Sequence, residues 1–75
     1  MTFKQAFDET LAACQTPALK RRFCTNELKA LRSELADQKK YLPGGWLHGE
    51  RIDAGTIRVT ELRIEYVQSC RDKVA

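Results

Sequence analysis

Residues 17–42 read PALKRRFCTNELKALRSELADQKKYL, and this stretch decides the fold. Cys24, Leu28, Leu31, Leu35, Gln38 and Leu42 recur at alternating steps of four and three. That spacing predicts one apolar seam along a helix. Thr16 stands where an N-cap belongs, and Pro17 at the first helical position has no N–H to leave unsatisfied. Pro43-Gly44-Gly45 ends the pattern, because proline disfavours helix in the residue before it. Thr25-Asn26 can cap a new helix, so the segment reads as one long helix or two short ones.

The same stretch carries the charge excess. Residues 17–43 hold seven bases against Glu27, Glu34 and Asp37. Residues 1–16 carry Lys4 against Asp8 and Glu9, and residues 44–75 balance five against five, giving +3 for the chain. Placed at 100° per residue, Arg21, Arg32 and Lys39 fall about 40–60° from the seam, with Arg22, Lys29 and Lys40 at about 120–140°. The three acids take the other flank. A helix tuned only for solubility would mix signs and gain i,i+4 pairs. Neighbouring helices can still supply the missing acids.

Outward from this helix, Phe3, Phe7, Leu11 and Cys14 step by four, four and three, which predicts a first helix capped by Thr2. Residues 43–56 contain all four glycines. Asp53-Ala54-Gly55 supplies a turn for a short hairpin pairing His48–Ile52 with Thr56–Thr60. Thr56-Ile57-Arg58-Val59 alternates like a strand. From Glu61 onward Leu62, Tyr66 and Cys70 step by four, with Ile64, Val67 and Val74 beside them, which predicts a last helix with a broad apolar face. The expected fold is all-α: a single domain over 1–75 with three helices, or four if Thr25 splits the second, and a Gly-rich connection at 43–56 that carries a short β-hairpin.

Seventy-five residues bury a marginal core, which favours an interaction module over a deep substrate pocket. Cys14, Cys24, His48 and Cys70 form a Cys3His set on paper. They lack the close C-x2-C spacing by which one turn aims two thiolates at a metal, and the cysteines fall on helix seams. His48-Gly49-Glu50 repeats no catalytic constellation, and there is no phosphate-binding glycine loop. The chain therefore reads as a non-enzymatic binder with no metal and no cofactor. Three widely spaced cysteines and no leader pattern point to reduced thiols in a cytoplasm. No apolar run approaches a membrane span.

Three uses of the basic face follow. In the first it docks on an acidic protein surface, with Arg21, Arg22, Lys29, Arg32, Lys39 and Lys40 as contacts and Tyr41 and Trp46 as anchors. In the second it contacts nucleic-acid phosphate as a helix-turn-helix-like regulator. The turn Gln15-Thr16-Pro17 lacks the usual glycine, and base-reading Asn and Gln residues are few. In the third the chain dimerises as a structural subunit. A heptad reading puts Glu27 and Glu34 at g against Arg32 and Lys39 at e, over a seam short for a coiled coil. Short motif-poor chains are common among bacterial and phage regulators that bind a host protein, transcription machinery included. That class-level analogy favours the first use.

Overall fold

The computed structural model describes residues 2–41, 45–47 and 49–74. In chain order these form α1 (Phe3–Ala13), α2 (Pro17–Lys40), β1 (Trp46–Leu47), β2 (Glu50–Arg51) and α3 (Ala54–Lys73). Three helices carry the fold, and the two short strands form an antiparallel hairpin between α2 and α3.

Each helix begins where its sequence supplies an acceptor. Thr2 accepts from the Gln5 N–H while the Gln5 side chain accepts from the Thr2 N–H, a closed capping box. The Thr16 hydroxyl accepts from the Leu19 N–H at 3.2 Å, with Pro17 opening α2. Thr25-Asn26 does not interrupt α2, which runs as one helix of 24 residues. The three-helix count therefore holds and the four-helix option does not. Leu42, Pro43 and Gly44 lie outside the described residues.

The expected hairpin exists in a different place. Trp46 pairs with Arg51 and Leu47 with Glu50, not His48–Ile52 with Thr56–Thr60. His48 itself lies outside the described residues. The chain turns through Gly49, whose φ of 79° is open to glycine at no steric cost. Thr56–Thr60 is the first part of α3. The physical reason is Asp53. Its carboxylate accepts the Thr56 N–H at 2.8 Å and the Thr56 hydroxyl at 3.1 Å, so the apparent turn residue is a helix cap.

The hairpin is tied to the end of α2. Gly45 donates its N–H to the Tyr41 carbonyl at 2.9 Å, and the Gly45 carbonyl accepts from Ile52 at 2.8 Å. A Cβ on Gly45 would sit 2.8 Å from the Tyr41 Cβ and closer still to the Tyr41 carbonyl oxygen. Only glycine allows that approach. Ile52, just beyond β2, is buried.

The core lies between α2 and α3. Cys24, Leu28 and Leu31 are buried with Val67 and Phe7, and Ile64, Tyr66 and Cys70 pack against that cluster. Pro17 and Lys20 share a hollow with Cys70, Lys73 and Val74, while Arg32 reaches Gln68, so the two helices run antiparallel. Gln38, Ile52, Ile57 and Thr60 are buried toward the other end. Gln38 continues the seam as an amide: its Nε2 donates to Glu34 at 3.5 Å, and its Oε1 has no partner among the described residues. Of the seam read from residues 24–38, Cys24, Leu28, Leu31 and Gln38 are thus buried inside the chain and Leu35 is half-buried. The α3 face differs from the expected stripe in one respect. Leu62 is 47% exposed, and the buried line runs through Ile57, Thr60 and Val67, with Ile64 half-buried.

α1 closes one side. Phe7 stacks on Phe23 of α2 at 5.1 Å and meets Tyr66 of α3 edge-on at 5.8 Å. The Tyr66 hydroxyl donates a short bond to the Asp8 carboxylate. That bond, foremost, raises the Tyr66 pKa above its ordinary value.

The Asp53 cap gives a pH prediction. The Thr56 bonds hold the Asp53 carboxyl below its ordinary value. Its contribution is therefore complete above the unfolded pKa of about 4 and is lost as pH falls through the lower folded value. Asp53→Ala should lower the melting temperature at pH 7. Asp53→Asn, which keeps an acceptor without a charge, should flatten the loss of stability below pH about 4. Thermal melts across that range check both; an unchanged acid profile in Asp53→Asn would count against the cap.

Candidate interaction face

The three flanks of α2 meet three different surroundings. Its seam faces α3. The first acid of its acidic flank lies toward α1: Phe23 stacks on Phe7, and Glu27 lines a hollow with Phe3, Ala6, Phe7 and Thr10, while Asp37 further along is exposed. On its basic flank Arg21, Arg22, Lys29, Arg32, Lys39 and Lys40 are all exposed, with Arg22 beside Ala13, Cys14 and Gln15 at the end of α1.

None of these six cations has a carboxylate within 4.0 Å among the described residues, where the one ion pair joins Arg58 and Glu65 at 4.0 Å. Arg32 is the exception to full freedom. Its Nη2 donates to the Gln68 Oε1 at 3.1 Å, a neutral acceptor on α3. Gln68 shares its side of α3 with Glu61, Glu65 and Asp72, which lie seven and three residues before it and four after. Neighbouring acids are therefore present beside the basic flank, but they do not pair with it. The face is a basic strip with an acidic margin on one side.

Tyr41 and Trp46 stand at the C-terminal end of α2. Tyr41 caps the helix, and Lys40 places its ammonium 6.0 Å from the Tyr41 ring centroid. Gly45 brings the hairpin back onto Tyr41, so Trp46 emerges from the same end. Trp46 is 66% exposed, the most exposed of the large hydrophobic side chains among the described residues. Its cross-strand partner Arg51 is exposed as well and adds a seventh cation next to the anchor. Sequence reasoning missed Arg51 because it assigned residues 48–52 to a different strand pairing.

Cys24 belongs to the core cluster and Cys70 packs against it. Cys24 is fully buried, and Cys14 and Cys70 are half-buried. Burial, followed by the neighbouring Cys70 and Cys14 thiols, pushes the Cys24 thiol above its ordinary pKa. It therefore stays protonated at neutral pH, whereas nucleophiles and metal ligands act as thiolates. Among the described residues no three His, Cys, Asp or Glu side chains converge as a metal site would require. No helix among the described residues is long and apolar enough to cross a membrane.

Trp46 is the sole tryptophan, so its fluorescence reports this end alone. Its emission should be red-shifted, and iodide should quench it nearly as well as free indole. Gly45→Ala should lower the melting temperature, because the hairpin must leave Tyr41. A blue-shifted, iodide-resistant emission in the free chain would contradict the placement.

No family model, curated protein or solved structure matches this chain.

Proposed function

We propose that the protein is a non-enzymatic regulatory module that binds an acidic surface of a cellular or host protein through the basic face of α2. The observation that carries the reading is the one-sided exposure of six cations. α1 packs beside Phe23 and Glu27 of the same helix and leaves all six cations exposed.

The magnitudes assign roles within the face. An exposed ion pair contributes about 0.2–1 kcal/mol, so six of them steer and orient more than they hold. Affinity in the micromolar range needs about 8 kcal/mol, which calls for desolvated anchors. Trp46 and Tyr41 are of the residue types that supply 2 kcal/mol or more each at the centre of an interface. Arginines at 21, 22 and 32 offer bidentate geometry to carboxylates, and the lysines add charge without direction.

The acidic margin on α3 favours a protein over a nucleic acid. Glu61, Glu65 and Asp72 would face the phosphates of a polyanion lying across the strip and its margin. A protein partner with discrete carboxylates can meet the strip and avoid the margin.

The test is affinity capture with mass spectrometry, run beside the triple variant Arg22→Glu, Lys29→Glu, Lys40→Glu. All three side chains are exposed, so the variant should fold. The wild-type chain should retain an acidic protein that resists nuclease and that the triple variant releases. Retention by the triple variant, or capture of nucleic acid in its place, would overturn the reading.

A further inference from the structure

The opposite side of the molecule carries a second, unrelated surface. Thr2, Phe3 and Lys4 at the start of α1 and Val59, Leu62, Arg63 and Tyr66 on α3 line an open trough of about 390 Å³. Val59 and Leu62 are each 47% exposed in its wall. They stand three residues apart on α3, and Tyr66 follows four residues later, so they form a continuous apolar strip. That strip lies off the buried line of Ile57, Thr60 and Val67. It also points away from the Gln68 side that flanks the basic strip.

The trough is framed by cations held on aromatic rings. The Lys4 ammonium lies 5.3 Å from the Tyr66 ring centroid, and the Arg63 guanidinium lies 5.0 Å from that of Phe3. Neither has a carboxylate within 4.0 Å among the described residues. The nearby Asp8 carboxylate is engaged by the Tyr66 hydroxyl. A cation resting on a ring keeps its charge available, and an arriving carboxylate can bind it without breaking an ion pair.

We infer that this trough is a second docking surface, whose occupant is an acidic amphipathic helix of a partner protein. Apolar side chains one turn apart on such a helix fill the space between Phe3 and the Val59, Leu62 strip. Carboxylates beside them meet Lys4 and Arg63. A second copy of the chain is the poorer occupant, because two-fold pairing of this patch sets Lys4 and Arg63 against the same cations. With the basic strip of α2 on the far side, the domain would join two partners at once.

The test uses the full chain, labelled with nitrogen-15, and a synthetic helix-forming peptide with leucines one turn apart and glutamates beside them. Amide shifts should move at Phe3, Lys4, Val59, Leu62 and Arg63. The same peptide with lysines replacing glutamates should bind roughly tenfold more weakly. Leu62→Glu should abolish the shifts with the helical circular-dichroism signal unchanged, while Arg22→Glu with Lys29→Glu should leave them intact. Shifts confined to α2, equal binding of the lysine peptide, or no binding would overturn the inference. So would the same amides shifting with protein concentration in the absence of peptide, which would assign the trough to a second copy.

Discussion

Burial of the α2 seam against α3 is the contact on which everything else in this protein depends. Leu28 and Val67 are both in the innermost cluster, together with Cys24, Leu31 and Phe7. Truncating one buried leucine costs about 2–5 kcal/mol, against about 5–15 kcal/mol for a whole small domain. The exposed Arg58–Glu65 ion pair, at about 0.2–1 kcal/mol, contributes far less. α1 adds its aromatic cluster to a helix pair already in place, and the hairpin fills the far end through Ile52 and Gly45. The seam is not uniform: Gln38 buries an amide oxygen without a partner among the described residues, where an apolar side chain would pack at lower cost.

Once that contact is made, the rotational setting of α2 is fixed, and with it the distribution of charge. A helix has one face per 3.6-residue period, so burying the seam forces the two flanks to opposite sides. Glu27 ends beside α1, and the bases end in solvent. α3 behaves the same way. Its buried line leaves Gln68 and three acids on one side and the Val59, Leu62 strip on the other. Two surfaces of different character thus follow from one helix pairing.

Most of this was legible in the chain. The seam, the Thr2 and Thr16 caps and the single covered face of α2 follow from local spacing and from residues whose hydroxyls can accept an N–H. The hairpin was misplaced because Asp53-Ala54-Gly55 satisfies two descriptions at once, a turn and a helix cap. Only the bonds from Thr56 separate them. Four alternating residues, Thr56 to Val59, are too few to distinguish a strand from the first turn of a helix. The basic strip was readable because it lies within one helix. The trough was not, because Phe3 and Leu62 are far apart in sequence and meet only through the fold. Leu62 was assigned to the core stripe for the same reason: its spacing to Tyr66 is right, but α1 stops short of covering it.

The central claim is that the seam of α2 is satisfied within one chain. Amide hydrogen exchange, followed across a hundredfold range of protein concentration, tests it most directly. The slowest amides should be those of Leu28, Leu31 and Val67, exchanging as one cooperative unit at rates that concentration does not change. Protection in α2 that grows with concentration, or that is absent while α3 remains protected, would contradict the account.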